Sequence, residues 1–405
     1  MARSLLLDGQ VSHFPWPPRG GPNIACPRVG AGFPAPGGQK GDPVSARGKS
    51  AGWTALVVVG ALLWSAQPAS AQLQWKSADE KLAFKIGLLG QLQGEMADVA
   101  GTDDTATNLF LRRARILMSF TLGEKLSIFL ETDSPNLGKS NNAGVKDAND
   151  IFIQDFVVTY KASQAFHFDA GMILPAISYN HTQSAASLLA TDYGPYTFVE
   201  SGPLQQRVGR DYGVQARGYL ADNHLEYRAG VFQGTRGTNA ANDLRYYGRL
   251  MLQFGTPQVG LFYRGTSLGK TKTIAFGASY DTQEEYSSLA GDVFVDLPVG
   301  SSGFTGQINY QTIDGDTFLA TLPEQDNLLV EAGFYFSNIK LLPFVQYAEQ
   351  DFADATRVDE EKLTVGLGYM VSGHNNNIKF SYSKIEPKIG ESRDQYNLQW
   401  QIFQF

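Results

Sequence analysis

Residues 108–133 read NLFLRRARILMSFTLGEKLSIFLETD, and this stretch constrains the fold more than any other. Phe110, Arg112, Ala114, Ile116, Met118 and Phe120 form one alternate set; Leu111, Arg113, Arg115, Leu117 and Ser119 form the other. A period of two is that of a strand. After a turn at Gly123-Glu124-Lys125 the alternation resumes, with Leu126, Ile128 and Leu130 on one face and Ser127, Phe129, Glu131 and Asp133 on the other. The result is a hairpin with one greasy and one charged face. A soluble sheet would turn the greasy face to a core; a membrane barrel would turn it to lipid, where a charge at mid-depth costs about 2–4 kcal/mol.

The rest of the chain decides between these. Charged residues make up only 18% and aromatic residues 12%, yet the mean hydropathy is −0.20, as expected of many short amphipathic strands. The one helix-like apolar run, residues 51–66, follows Arg47 and Lys49 and is followed by Ala69-Ser70-Ala71. It is too short to span a bilayer as a helix and has the layout of a secretory signal peptide cut after Ala71. We therefore expect three parts. Residues 1–46, rich in Pro and Gly, are a misassigned or disordered leader; 47–71 are the signal peptide; 72–405 are the folded domain. The single cysteine, Cys26, lies in the leader, so neither disulfide nor thiol chemistry is expected in the exported chain. Losing residues 1–71 makes the remainder more acidic than the −7 of the whole chain, which excludes nucleic acid as a partner.

From residue 72 onward, dyad-periodic segments alternate with turns rich in Gly, Asn, Asp and Ser. Seventeen segments can be read, whereas a single-chain bacterial barrel has an even number. The conflict falls among 244–254, 259–265 and 271–280, one of which must be miscounted. Sixteen strands are expected; eighteen also fit the length. Connections alternate short (122–125, 161–164, 221–223, 337–340) and long (98–108, 134–149, 234–243, 314–327, 350–360), as for a barrel with a periplasmic and an outer end. The longest, 175–210, is expected to fold inward and narrow the channel, with helix-compatible residues at 184–190. The chain ends on Phe405, as outer-membrane barrels commonly do, and that residue is the expected contact with the barrel assembly machinery. The phase changes between Ile402 and Phe403, which predicts a bulge there.

The stretches 111–122, 155–174, 210–234, 289–310 and 328–347, with the terminal strand, resemble the phosphate-selective porin O and P family of bacterial outer-membrane channels. The resemblance covers nearly all of the chain after residue 71 and rests on diffuse patterns. It implies a sixteen-stranded transmembrane antiparallel β-barrel in the outer membrane, a homotrimer among lipid, and passive diffusion of small solutes and ions. Phosphate selectivity belongs to family members and does not transfer automatically.

Strand parity names the water-facing candidates: Arg113, Arg115, Arg217, Arg228, Arg245 and Arg249. Arginine suits phosphate because its planar fork matches two oxygens, and a column of them could guide anions. The same parity places Glu131, Asp133, Asp155, Asp211 and Glu226 on the lumen side, so the arginines could instead be paired. The long loop carries Asp192 and Glu200 between residues 175 and 206, with no Lys or Arg, which weighs against a phosphate constriction there. Arg112 has lipid-side parity and is expected at the outer rim or at a subunit contact. Tyr160, Tyr219, Tyr280, Tyr310, Trp400 and Phe405 are candidates for interfacial girdles.

Three motifs suggest other chemistry and carry little. Gly265-Thr266-Ser267-Leu268-Gly269 has the GxSxG spacing but joins two strand-like segments instead of a strand and a helix. His181 and Ser184 share a loop and not a barrel wall, and Asp314-Gly315-Asp316 lacks the rest of a calcium loop. The expected protein is a porin, not an enzyme, with no cofactor and no metal. A lipase-like barrel enzyme and a plugged structural or adhesive barrel are the alternatives.

Overall fold

The computed structural model describes residues 73–405 except 142 and 149; the expected leader and signal peptide lie outside the described residues. Eighteen strands follow one another: β1 (Leu73–Lys76), β2 (Leu82–Asp98), β3 (Thr105–Leu122), β4 (Leu126–Asp133), β5 (Phe152–Ser163), β6 (Phe166–Ile173), β7 (Asp211–Leu220), β8 (Leu225–Phe232) and β9 (Arg245–Gly255). Then come β10 (Thr273–Gln283), β11 (Tyr286–Val299), β12 (Ser302–Asp314), β13 (Gln325–Tyr335), β14 (Leu341–Phe352), β15 (Glu360–Tyr369), β16 (Val371–His374), β17 (Asn376–Pro387) and β18 (Arg393–Gln404). Sixteen of them, all but β1 and β16, pair antiparallel in a closed ring, with β18 joined to β2 and β9 to β10. Closure leaves no exposed edge, which is what lets a sheet lie in lipid.

The disputed segment 259–265 is not a strand. It belongs to a connection, residues 256–272, between β9 and β10; Tyr263 is buried inside the barrel and Leu261 packs against the cluster of Ala176 and Ile177, while Val259 stays exposed. The alternation of connection lengths is broken there, at the end that carries the other short turns and Phe405. That end is the periplasmic one in barrels of this kind. It is broken again at the opposite end, where β10 and β11 are joined through Glu284 and Glu285 alone.

Alternation sets the two faces. Leu250, Leu252, Phe254, Leu289, Ile308 and Leu367 are exposed on the outside, while Gln91, Arg115, Asp155, Gln307 and Gln399 are buried within. The inner face is not uniformly polar, however. Leu89, Leu117, Ala185 and Ala186 form an apolar cluster with Phe129, Tyr193, Phe403 and Phe405, and Leu189, Leu268, Leu342 and Phe344 form another. The core thus sits inside the barrel, between wall and loops.

The same packing explains the change of phase near the carboxyl end. β18 keeps regular register against β2 through Ile402↔Gly90, Phe403↔Leu89 and Gln404↔Leu88, so no bulge forms. Phe403 and Phe405 point inward because the lumen there is apolar, not because the strand is broken. Phe405 and Tyr219 are therefore not girdle residues: the first lies 6.1 Å from Phe129, ring to ring, and the second is buried and donates to Gly260 O at 3.0 Å. Tyr160, Tyr280 and Tyr310 do face outward. β1 continues the line of β18 along β2, with Leu73 opposite Ile86 just past the Gln404↔Leu88 pair.

Candidate functional site: the lumen and its inward loops

The connection 174–210 between β6 and β7 enters the lumen, as its length and weak strand signals predicted. Its helix, α1 (Tyr179–Thr182), is a single turn capped by Ser178, whose side chain accepts from His181 N. The helix-compatible residues at 184–190 form no helix; the segment runs along the wall in turns and bends, with Ser187 N donating to Ser184 O at 3.0 Å. Side chains of the wall hold its carbonyls. Gln401 reaches Ala186 O at 2.9 Å, Lys379 Nζ reaches Leu188 O at 2.6 Å and Ala190 O at 2.8 Å, and Gln399 reaches Thr191 O at 3.2 Å.

All six parity-derived arginines point inward, and each meets a carboxylate. Arg113 binds Asp192 at 2.6 Å, and Arg115 binds Glu131 and Asp133 at 2.9 Å each. Arg217 binds Asp169 at 2.6 Å, Arg228 binds Glu226 at 2.6 Å, Arg245 binds Asp281 at 2.7 Å, and Arg249 binds Asp292 at 2.7 Å. Asp155 is held by Arg210 at 3.2 Å. Parity on β6, β10 and β11 could have supplied Asp169, Asp281 and Asp292. Their pairing could not be read, because it depends on register across strands.

The six do not form one column. Only Arg113 and Arg115 line an outer cavity of about 360 Å³, together with Asp133, Asp192 and Tyr193; the other four are buried beneath the inward loops. Arg112 joins them, against its parity. Between β2 and β3 the register slips, Gln91 facing Arg113 and Leu92 facing Leu111, so Arg112 is the extra residue of a β-bulge. Turned inward, its Nε lies 2.6 Å from Asp192. Burial opposes the charged form of Asp192, but Arg112 and Arg113 outweigh it and hold the carboxyl below its ordinary range.

Six cationic side chains line this cavity, namely Arg112, Arg113, Arg115, Lys139, Arg210 and Lys362, against three acidic ones, Glu95, Asp133 and Asp192. Counting also Glu131 and Asp155, bonded behind it to Arg115 and Arg210, one positive charge remains in excess. Glu200 is not on this wall. It is fully buried with its Oε1 3.3 Å from Nε2 of His181, whose pKa burial pushes below the ordinary 6.5.

Ser267, of the GxSxG stretch, serves a turn: its Oγ accepts from the backbone N–H groups of Lys270 and Thr271, each at 3.1 Å. Asp314 caps Asp316 N at 2.9 Å in a loop. Among the described residues no cluster of three or more potential metal ligands occurs.

A closed sixteen-strand barrel, apolar outside and charged within, narrowed by an inward loop, defines a transmembrane channel of the porin class. A profile of the phosphate-selective porin O and P family matches residues 86–298, and the chain belongs to that family. It is an outer-membrane porin. No curated protein sequence matches it. Among solved structures it is similar to the anion-selective porin from Comamonas acidovorans, at 11% identity over 80% of this chain and 99% of that one, with a TM-score of 0.53. Others are OmpF of Salmonella typhi in complex with daunomycin (12% identity, 78% and 98% covered, TM-score 0.49) and the trimer form of OmpT from Vibrio cholerae (11%, 79% and 99%, 0.48). At such identities the likeness concerns the fold alone.

Proposed function

We propose that this porin passes small hydrophilic solutes by passive diffusion with a preference for anions, inorganic phosphate among them. The observation that carries this is the surplus of positive charge around the outer cavity, where Arg112 and Arg113 share the single carboxylate of Asp192. A desolvated wall with one uncompensated cation raises the local concentration of anions. Asp192 and Glu200 do not oppose this, the first because two guanidiniums neutralise it and the second because it is buried away from the cavity. No catalytic role is assigned to Ser184, Ser267 or His181, which act in turns and loop packing.

The same reading takes residues 1–46 as a leader outside the exported protein, 47–71 as a cleaved signal peptide, and 72–405 as the barrel. It assembles as a homotrimer, with Phe405 engaging the barrel assembly machinery. Planar-bilayer recording tests the central claim. A reversal potential of the anionic sign across a KCl gradient, and a fall in current when phosphate is added, are the expected results; cation preference would sink it. One observation favours a second reading, a plugged barrel: the outer cavity and a second cavity near the periplasmic end share no lining residue. Absence of any conductance would establish that alternative.

A further inference from the structure

The periplasmic connection 256–272 lies inside the barrel and crosses it. Near its start, Arg228 donates to Gly260 O and Leu261 O at 3.0 Å each, which ties it to β8, and Tyr219 of β7 donates to Gly260 O. In the middle, the Tyr263 hydroxyl donates to Glu226 at 2.6 Å while its ring stacks 5.0 Å from Tyr179 of the long loop. Farther on, Ser267 N donates to Asp296 at 3.0 Å, Leu268 packs with Leu342 and Phe344, and His374 Nε2 lies 2.8 Å from Thr266 O. β7 and β15, which leads into β16 and His374, are eight steps apart in a ring of sixteen, so the connection reaches from one wall to the opposite one.

Along this crossing it pairs with the long loop by backbone. Tyr263 N donates to Thr182 O at 3.0 Å, Ser184 N to Tyr263 O at 2.8 Å, and Thr266 N to Ser187 O at 3.0 Å; Gln183 and Tyr263 form a parallel bridge. On the periplasmic side a cavity of about 370 Å³ is lined by both segments, including Ser184, Ser187, Gln258 and Tyr263. Arg264 is the one formally charged residue lining it among those described.

We propose that 256–272 is the second half of the constriction, setting the width of the passage jointly with the long loop, and that Arg264 is its selectivity-determining charge. This rests on the porin reading but does not need an outer anion preference. A solute must pass the edge of a ribbon made of both loops, so removing either strand of the ribbon widens the path. The charge it meets after that edge is Arg264, which is exposed and bonds only Thr271 Oγ1 at 3.0 Å by side chain.

The test is single-channel recording on two variants of the full chain. In the first, residues 257–271 are replaced by Asn-Gly. The β9–β10 ladder can close this way because Thr256 N already donates to Lys272 O. A rise of about twofold or more in conductance is expected from the wider path; unchanged conductance overturns the proposal. In the second, Arg264→Glu, the reversal potential in a KCl gradient is expected to move toward the cation value. An unmoved reversal potential overturns the assignment of Arg264, and this variant decides the matter if the shortened chain fails to insert. Wild-type protein that conducts without anion preference would refute the outer-cavity reading, while the conductance of the shortened variant would still judge the loop.

Discussion

Arg249 reaches Asp292 across an intervening strand, and Gly277 on β10 makes that reach feasible. A Cβ at position 277 would sit 2.2 Å from Arg249 Nη2 and 2.5 Å from Asp292 Oδ1. Gly277→Ala is therefore expected to displace a buried ion pair and to cost about 1–3 kcal/mol, the penalty of a buried polar group left unsatisfied; heat or urea unfolding of the purified barrel measures it. Asp192→Asn acts on charge instead of space. It removes the one carboxylate shared by Arg112 and Arg113, so the reversal potential is expected to shift further toward the anion value, with the shift shrinking at high salt. His181 adds a pH dependence of known sign. Its folded pKa lies below 6.5, so the unfolded chain takes up the proton first, and stability present above about pH 6.5 is lost as pH falls. The loss has an upper bound of about 1.4 kcal/mol per pH unit. The difference in melting between wild type and His181→Gln, followed from pH 8 to pH 5, isolates the contribution of this imidazole.

At the scale of elements, the long loop is placed by its wall rather than by its own secondary structure. A helix of four residues cannot fix a loop of this length, but a row of carbonyls bonded by Lys379, Gln399 and Gln401 can. Lys379→Met keeps much of the side-chain volume and leaves Leu188 O and Ala190 O without their donor. Each orphaned carbonyl costs about 1–3 kcal/mol, so the segment 188–190 should detach before the barrel unfolds. Faster proteolysis within the loop and a noisier current, with the barrel's melting transition little changed, are the expected outcome. A variant as quiet and as protease-resistant as wild type would show that the loop is held by other means.

At the scale of the whole molecule, the barrel is a ring closed by β2 and β18, and closure makes its stability a collective property of the wall. Phe405 stands at that junction, with Lys85 Nζ 4.4 Å above its ring and Phe129 beside it. Phe405→Ala is expected to lower the amount of folded barrel recovered in the outer membrane through lost packing at the junction and, on the assembly role proposed for this residue, through lost recognition. Refolding of the purified variant in detergent separates them, because the packing defect persists there and the recognition defect does not.

Alternation by itself determined that residues after 72 form a barrel, which faces are lipid-facing, and that six arginines turn inward, because side-chain direction in a strand follows from the chain's own period of two. It also marked 244–280 as holding one strand too many and 175–210 as an inward loop, since each broke the pattern of short strands and turns. Other features were settled only in three dimensions. Arg112 faces the lumen because one strand holds one residue more than its neighbour. The arginines are paired instead of forming a column because register brings Asp169, Asp281 and Asp292 to them. The connection 256–272 left the sheet because its Tyr263 and Leu268 find apolar partners on the long loop and the far wall. In each case the deciding contact joins residues far apart in the chain, and local periodicity carries no information about such partners.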